Sequence, residues 1–296
     1  SSAVDTPGFS EALIVATEDN TRIEITPTVR TFGGRNSGAT YEITLNAGEV
    51  YQMQSSEDLT GTYVKAISDN EEDCKNIAVF GGSYWVNVGE CGGFRDHLVE
   101  QMFPVSTWGK NFVYVPYESR SGGDLIKIIA SEDGTEVNIS GLPPIQLDAG
   151  QVFVNSALPD ERIINANKPI SLAQFSRSSE CDGVNADPFM IIVSPIEQRI
   201  QEATFSAFRV QEINQYYLTL ITEQSALAAG VLLDGEDVSS EFQTIGTYAY
   251  ASIRISQGDH NVSAPDGVIA YVYGYGNAES FGYSAGVSLE NLNLEI

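Results

Sequence analysis

The chain is poor in the residues that most chemistry relies on. It has three cysteines, two histidines, and 15 Lys plus Arg against 40 Asp plus Glu, for a formal net charge of −25. A surplus of carboxylates excludes nucleic acid as a partner, because phosphate binding needs Lys and Arg. It also disfavours an anionic membrane surface. Two histidines that lack ligand spacing to cysteine exclude a zinc site. No Gly-x-Ser-x-Gly elbow occurs, so a hydrolytic triad has no frame. The Gly-rich stretches lead into strands rather than helices, which excludes a phosphate loop. No apolar run reaches the ~18 residues of a membrane helix, so no membrane insertion is expected. No leader is recognisable at Ser1-Ser-Ala-Val-Asp, which reads as a processed end or a boundary. Three cysteines are too few for a disulfide scaffold. The first candidate pair is Cys74 with Cys91, which flank one strand and its loop. The alternative is Cys91 with Cys181. Either lean is toward an oxidising compartment.

What is present is β pattern. Short runs rich in β-branched and aromatic residues, such as Arg22-Ile-Glu-Ile and Tyr41-Glu-Ile-Thr-Leu, alternate polar with apolar and are bounded by Gly, Asn, Asp or Ser. Asp19-Asn20 and Asp133-Gly134 sit between two such runs and predict hairpins. The best helical stretch, Glu223 to Ala229, is short. The expected fold class is all-β.

The chain also resembles itself. Ala16-Thr-Glu-Asp-Asn-Thr-Arg-Ile-Glu-Ile matches Ala130-Ser-Glu-Asp-Gly-Thr-Glu-Val-Asn-Ile, and Leu45-Asn-Ala-Gly-Glu-Val-Tyr matches Leu147-Asp-Ala-Gly-Gln-Val-Phe. Asp96 and Asp187 each precede a proline, Pro104 and Pro195, by eight positions. A fainter third copy ends in the Tyr-rich strand from Ala270 to Tyr275. Repetition at this spacing governs the fold reading. It predicts three tandem related antiparallel β-sandwich units packed together, at 1–118, 119–212 and 213–296. Asn111-Phe-Val-Tyr-Val and Glu202-Ala-Thr-Phe are expected to close the first two. Glycines and polar residues mark long loops after the buried strand of each unit, at 81–95, 176–186 and 276–280. Loops held by rigid sheets carry recognition.

Candidate sites follow from these loops. Tyr84 and Trp85, with Phe94 and Arg95 beside them, are the binding candidates, placed in the first long loop. Asp96, its twin Asp187 and His97 read as structural, because the aspartate recurs at 187 without a histidine. The expected task of Asp96 is to tie the Gly-rich loop through backbone N–H groups. Trp108 reads as core. Calcium is the one metal the acidic loops suit, through Asp69, Glu71 and Asp73 in one run and Asp182, Asn185 and Asp187 in another. The bland reading, solvated acidic loops and no cofactor, is weighed above it.

The runs Asp96-His-Leu-Val-Glu-Gln, Ser106-Thr-Trp-Gly-Lys-Asn-Phe, Lys127-Ile-Ile-Ala-Ser-Glu-Asp-Gly-Thr-Glu-Val, Asp187-Pro-Phe-Met and Phe281-Gly-Tyr-Ser-Ala-Gly resemble the signature of the IgGFc-binding protein N-terminal domain family, from about Glu11 to Leu289. The resemblance implies a non-catalytic extracellular module for adhesion or protein binding, secreted or on a cell surface, within a larger surface protein. Acidity and low cysteine content suggest a bacterial member. The expected partner is an extracellular protein or glycan. A carbohydrate-binding module, calcium-dependent or not, and a structural subunit of a surface filament are the alternatives. The family pattern carries cysteine where Trp85 and Arg95 stand here, so its disulfide pairing does not carry over. Fc binding does not follow either.

Overall fold

A computed structural model describes residues 4–5, 8–70, 75–89 and 91–292. Every strand pairing in it is antiparallel, and the helical segments are short 3-10 turns. Gln224–Ala229 is the longest of these among the described residues. The all-β expectation therefore holds, and it follows from the dense β-branched and aromatic runs.

The first sheet pair comes from β1 (Val4–Asp5), β2 (Ser10–Ala16), β3 (Thr21–Thr26), β4 (Tyr41–Leu45), β5 (Val50–Ser55), β6 (Tyr63–Ile67), β7 (Ile77–Val88) and β8 (Asp96–Gln101). β7 lies between β1 and β2, β2 runs next to β5, and β8 also pairs with β7; β4, β3 and β6 make a separate three-stranded sheet. Ile14, Ile23, Ile25, Leu45 and Met53 are buried between the two sheets.

The second sheet holds β9 (Gly109–Tyr114), β10 (Asp124–Ala130), β11 (Thr135–Ile139), β12 (Ile145–Leu147), β13 (Val152–Leu158), β14 (Arg162–Phe175) and β15 (Met190–Val193). The third holds β16 (Ile200–Ala207), β17 (Ile213–Glu223), β18 (Leu232–Leu233), β19 (Glu236–Asp237), β20 (Gln243–Ile245), β21 (Tyr248–Arg254), β22 (Gly258–Gly276) and β23 (Glu279–Gly286). Here the sandwich expectation needs correction. Each of these two is one continuous sheet that curls over its own core, because a single long strand serves both sides. β14 pairs with β11 along its first half and β10 along its second. β22 likewise pairs with β16 and β18 first, then β17 and β23. Both long strands carry a register shift on their partners near the middle, the bend that lets one strand serve two sides. Among the N-terminal strands, by contrast, β6 belongs to the three-stranded sheet and β7 to the other.

The predicted hairpins at Asp19-Asn20 and Asp133-Gly134 are also corrected. The turns form, with Asn20 at φ 56° and Gly134 at φ 65°. Yet β2 pairs with β5 and β7 while β3 pairs with β4 and β6. The turn therefore crosses from one side of the core to the other. The aspartate docks the next turn instead: Asp19 Oδ1 accepts from Ala47 N at 3.0 Å, and Asp133 Oδ1 from Ala149 N at 3.0 Å. Lys75 Nζ donates to Asp19 O at 2.7 Å, and Lys168 Nζ to Asp133 O at 2.6 Å. The strands expected to close the first two units join the sheet that follows them: β9 pairs with β14 and β16 with β22. Sheet membership thus changes near 102–108 and 194–199, ahead of 118 and 212.

The sheets share cores. Val86, Val88 and Leu98 of the first sheet pack with Leu125, Phe175, Met190 and Ile192 of the second. Tyr117, between β9 and β10, and Phe189, just before β15, pack with Tyr217, Tyr273 and Tyr275 of the third sheet, with Tyr117 4.7 Å from the Phe189 ring and 4.9 Å from the Tyr273 ring. Both faces of β22 are buried along Tyr271 to Tyr275, so the tyrosine alternation marks an interior strand. Trp108 is half-buried, and its Nε1 donates to Phe103 O at 3.0 Å.

Candidate functional site

Tyr84 and Trp85 do not stand in a loop. β7 runs on to Val88 and carries them. Consecutive strand residues normally face opposite sides, yet both are exposed, at 59% and 46%. The cause is a register break against β8 between Ser83 and Val86, a bulge that turns both rings outward. The connecting loop is shorter than expected and begins at Gly89.

That loop is fastened to the loop after β14 by a dense set of bonds. Asn87, almost fully buried, donates to the carbonyls of Gly93 and Phe94 at 3.1 and 3.0 Å and to Ser178 Oγ at 3.2 Å, and its Oδ1 accepts from Arg95 Nε at 2.6 Å. Ser178 Oγ accepts from Val88 N at 3.0 Å, and Ser179 Oγ from Phe94 N at 3.1 Å. Gly93 stands at φ 111°, and a Cβ there would sit 2.3 Å from Ser179 Oγ, so this turn needs glycine. A disulfide joins Cys91 to Cys181, whose Cα atoms are 5.2 Å apart. The first candidate, Cys74 with Cys91, is therefore corrected: Cys91 has one sulfur bond to give, and Cys74 lies outside the described residues.

The loop-tying role expected of Asp96 belongs to Asn87, Ser178 and Ser179. Among the described residues Asp96 Oδ1 accepts the next amide alone, His97 N, at 2.7 Å. A polar residue inside an apolar strand run was the signal for Asn87. Nothing in the sequence distinguished Ser178.

The three long loops meet. Asn185, ahead of β15, bonds to Asn277 at 3.0 Å and accepts from Ala278 N at 3.2 Å, both on the turn between β22 and β23, and Ser280 Oγ donates to Asp187 O at 2.7 Å. Where they meet lies an open cleft of about 390 Å³ lined by Trp85, Gly93, Phe94, Arg95, Asp187 and Ala278. Phe94 is 43% exposed at its rim. Asp187 is 7% exposed, and its Oδ1 is buried without a hydrogen-bond donor. Burial, reinforced by the charges of Asp96 and Glu279, pushes its carboxyl up to about 7. The repeated aspartates, Asp96 and Asp187, thus come within each other's field, and burial raises Asp96 as well.

Among the described residues, the calcium candidates Asp69, Asp182 and Asn185 are engaged by other partners. Asp182 Oδ2 accepts from Arg120 Nε at 2.6 Å with both side chains 1% exposed, and its Oδ1 accepts from Val184 N at 3.1 Å. Asn185 is taken up by the β22–β23 turn. Asp69, 91% exposed, pairs with Arg22 at 2.9 Å. Glu71 and Asp73 lie outside the described residues. Among the described residues no three His, Cys, Asp or Glu side chains gather as a metal would require.

Neither histidine lines the cleft. His97 is exposed on β8. His260 is on β22, where Nδ1 meets Asp234 Oδ2 at 2.6 Å and Nε2 meets Ser256 O at 2.9 Å. Both ring nitrogens are thus occupied, and neither is left to take a substrate proton. No helix of the described residues is long and apolar enough to cross a membrane.

Comparison with known proteins fixes the family. The family model described as IgGFc binding protein matches residues 2–274. The chain belongs to this family. Human IgGFc-binding protein is 25% identical over 265 residues, which cover 86% of this chain and 5% of that protein. The chain thus corresponds to a small part of that relative's length. The relative is human and lends nothing to the bacterial reading. No solved structure matches the chain.

Proposed function

We propose that this member of the IgGFc-binding family is a non-catalytic, extracellular protein-binding module, and that its binding face is the cleft where the three long loops meet. The observation that carries this is the convergence of Trp85, Phe94 and Arg95 with Asp187 and Ala278 around one open cleft. Exposed aromatics and arginine are the side chains most enriched at binding hot spots. Trp85 stands here on β7, and Phe94 and Arg95 on a loop fixed by a disulfide and by Asn87, so little ordering cost attends binding. The disulfide suits an oxidising, extracellular setting.

We further read the chain as three tandem related units. The same pairing order supports this: β2, β10 and β17 each run between one neighbour and the long strand, or its second segment, that crosses the core. The duplicated Asp19 and Asp133 contacts support it too.

The relative's name makes the Fc fragment of immunoglobulin G the first ligand to test. Binding of purified Fc to the immobilised chain is measured by surface plasmon resonance, beside the double variant Trp85→Ala, Phe94→Ala. Saturable binding that falls at least tenfold in the variant (about 1.4 kcal/mol) supports the reading. Undiminished binding in the variant moves the site off this face. No binding removes Fc as the ligand.

A further inference from the structure

Asp187 is a carboxylate without the partner its setting demands. It is more than nine-tenths buried and lines the cleft, its Oδ1 has no donor, and among the described residues it has no ion pair. The charges facing it are of its own sign, Asp96 from β8 and Glu279 from β23. Arg95 lines the same cleft, but its Nε is engaged by Asn87 Oδ1 at 2.6 Å. A buried charge is tolerated when it is paired and hydrogen-bonded, so the missing element is a cation with N–H donors. Trp85 and Phe94 at the same cleft offer aromatic faces, which attract cations through the ring quadrupole. At about 390 Å³ the cleft lies at the small end of ligand sites. That is room for one side chain rather than a folded segment or an oligosaccharide.

We infer that this cleft is a receptor for the cationic side chain of a partner protein, an arginine above all, with Asp187 as its counter-ion and Trp85 and Phe94 flanking it. Arginine is favoured over lysine because its planar fork donates to a carboxylate while its face stacks on a ring. The identification of the donor as a protein rests on the protein-binding reading above; the cation site itself does not. The acidity of the whole chain, −25 formally, works in the same direction by raising the local concentration of cations.

The test titrates the whole chain with N-acetyl-arginine methylamide and, separately, with the Nα-acetyl-lysine analogue and the uncharged N-acetyl-citrulline methylamide. Binding is read from the NMR shifts of the Trp85 indole and the Ala278 amide. The expected result is saturable binding of the arginine probe, weaker binding of the lysine analogue, and none of citrulline. Asp187→Asn, nearly isosteric, should weaken the arginine probe at least tenfold, and Trp85→Ala, followed at Ala278, several-fold. Glu279→Gln, at a residue that does not line the cleft, should cost less. Equal binding of citrulline, or an Asp187→Asn variant that binds like wild type, overturns the inference, and so does saturable shifting of the same resonances by a neutral disaccharide alone. The two readings fail separately. Fc binding that depends on Trp85 and Phe94 but ignores Asp187→Asn leaves the protein-binding face standing and removes the cation site. An arginine probe that binds as expected, in a chain that binds no Fc, keeps the cation site and removes Fc as the ligand.

Discussion

Replacing Arg120 by methionine removes the counter-ion of a carboxylate that water cannot reach. The Arg120 and Asp182 side chains are each 1% exposed, and Nε to Oδ2 is 2.6 Å. Arg120 also donates from Nη2 to Arg177 O and lies with its Cζ 5.5 Å from the Tyr275 ring centre, while its Nη1 has no partner. Breaking such a pair from one side leaves a bare buried charge, which costs about 3–5 kcal/mol. Replacing both partners removes the desolvation penalty together with the attraction. Arg120→Met and Asp182→Asn are therefore each expected to lose about 3–5 kcal/mol. The double variant Arg120→Met, Asp182→Leu should return to within about 2 kcal/mol of wild type. Equilibrium urea unfolding, followed by tryptophan fluorescence and circular dichroism, measures this. At roughly 2 °C per kcal/mol for a chain of this size, the single variants should melt about 6–10 °C lower. Single variants that lose under about 1 kcal/mol, or a double variant that loses the sum of the two, would refute the reasoning. The same proteins test calcium. Asp182 already has both oxygens engaged, so millimolar calcium should leave the wild-type melting temperature unchanged. A rise reversed by chelator and abolished in Asp182→Asn would show that calcium displaces Arg120. A rise surviving that substitution would point to the run from Asp69 to Asp73.

Two further outcomes are expected. The Cys91–Cys181 bond closes a chain separation of 90 residues, for which chain entropy gives about 4.5 kcal/mol and native disulfides typically about 2–4. Cys91→Ser, Cys181→Ser and the double variant should therefore lose the same amount in chemical unfolding, since they remove the same bond; a Cys181→Ser variant as stable as wild type would refute the pairing and return Cys74 to consideration. Asp187 is raised to about 7, first by burial and then by Asp96 and Glu279. The folded state thus holds a proton that the unfolded chain has released, and stability attributable to this group falls between about pH 4 and 7 and is level above. Because the cleft is open to water, the ~4 kcal/mol implied by the shift is discounted to about 1–2. Asp187→Asn should match wild type near pH 4 and exceed it by about 1–2 kcal/mol at pH 8, and a difference independent of pH would refute this.

The sequence by itself determined the all-β class, the positions of most strands, the recurrence of motifs and the family. Those are local or linear properties: β-branched alternation, turn residues and spacing survive in a one-dimensional reading. It also placed Trp85, Phe94 and Arg95 in one candidate surface and left Cys91 with Cys181 as one of two pairings. Tertiary structure decided the rest, because the deciding terms are contacts between residues far apart in the chain. Asp19-Asn20 carries a hairpin's residues, yet the hydrophobic core between β2 and β3 sends those strands to opposite sides. Strand closure at Gly109–Tyr114 and Ile200–Ala207 went to the following sheet, since register partners are chosen across space. Asp182 looked like a ligand in its loop until Arg120, 62 positions away, was brought against it. Asp187 looked architectural in the sequence, and only the meeting of β8, β23 and two loops surrounded it with like charge and left its carboxylate facing an open cleft.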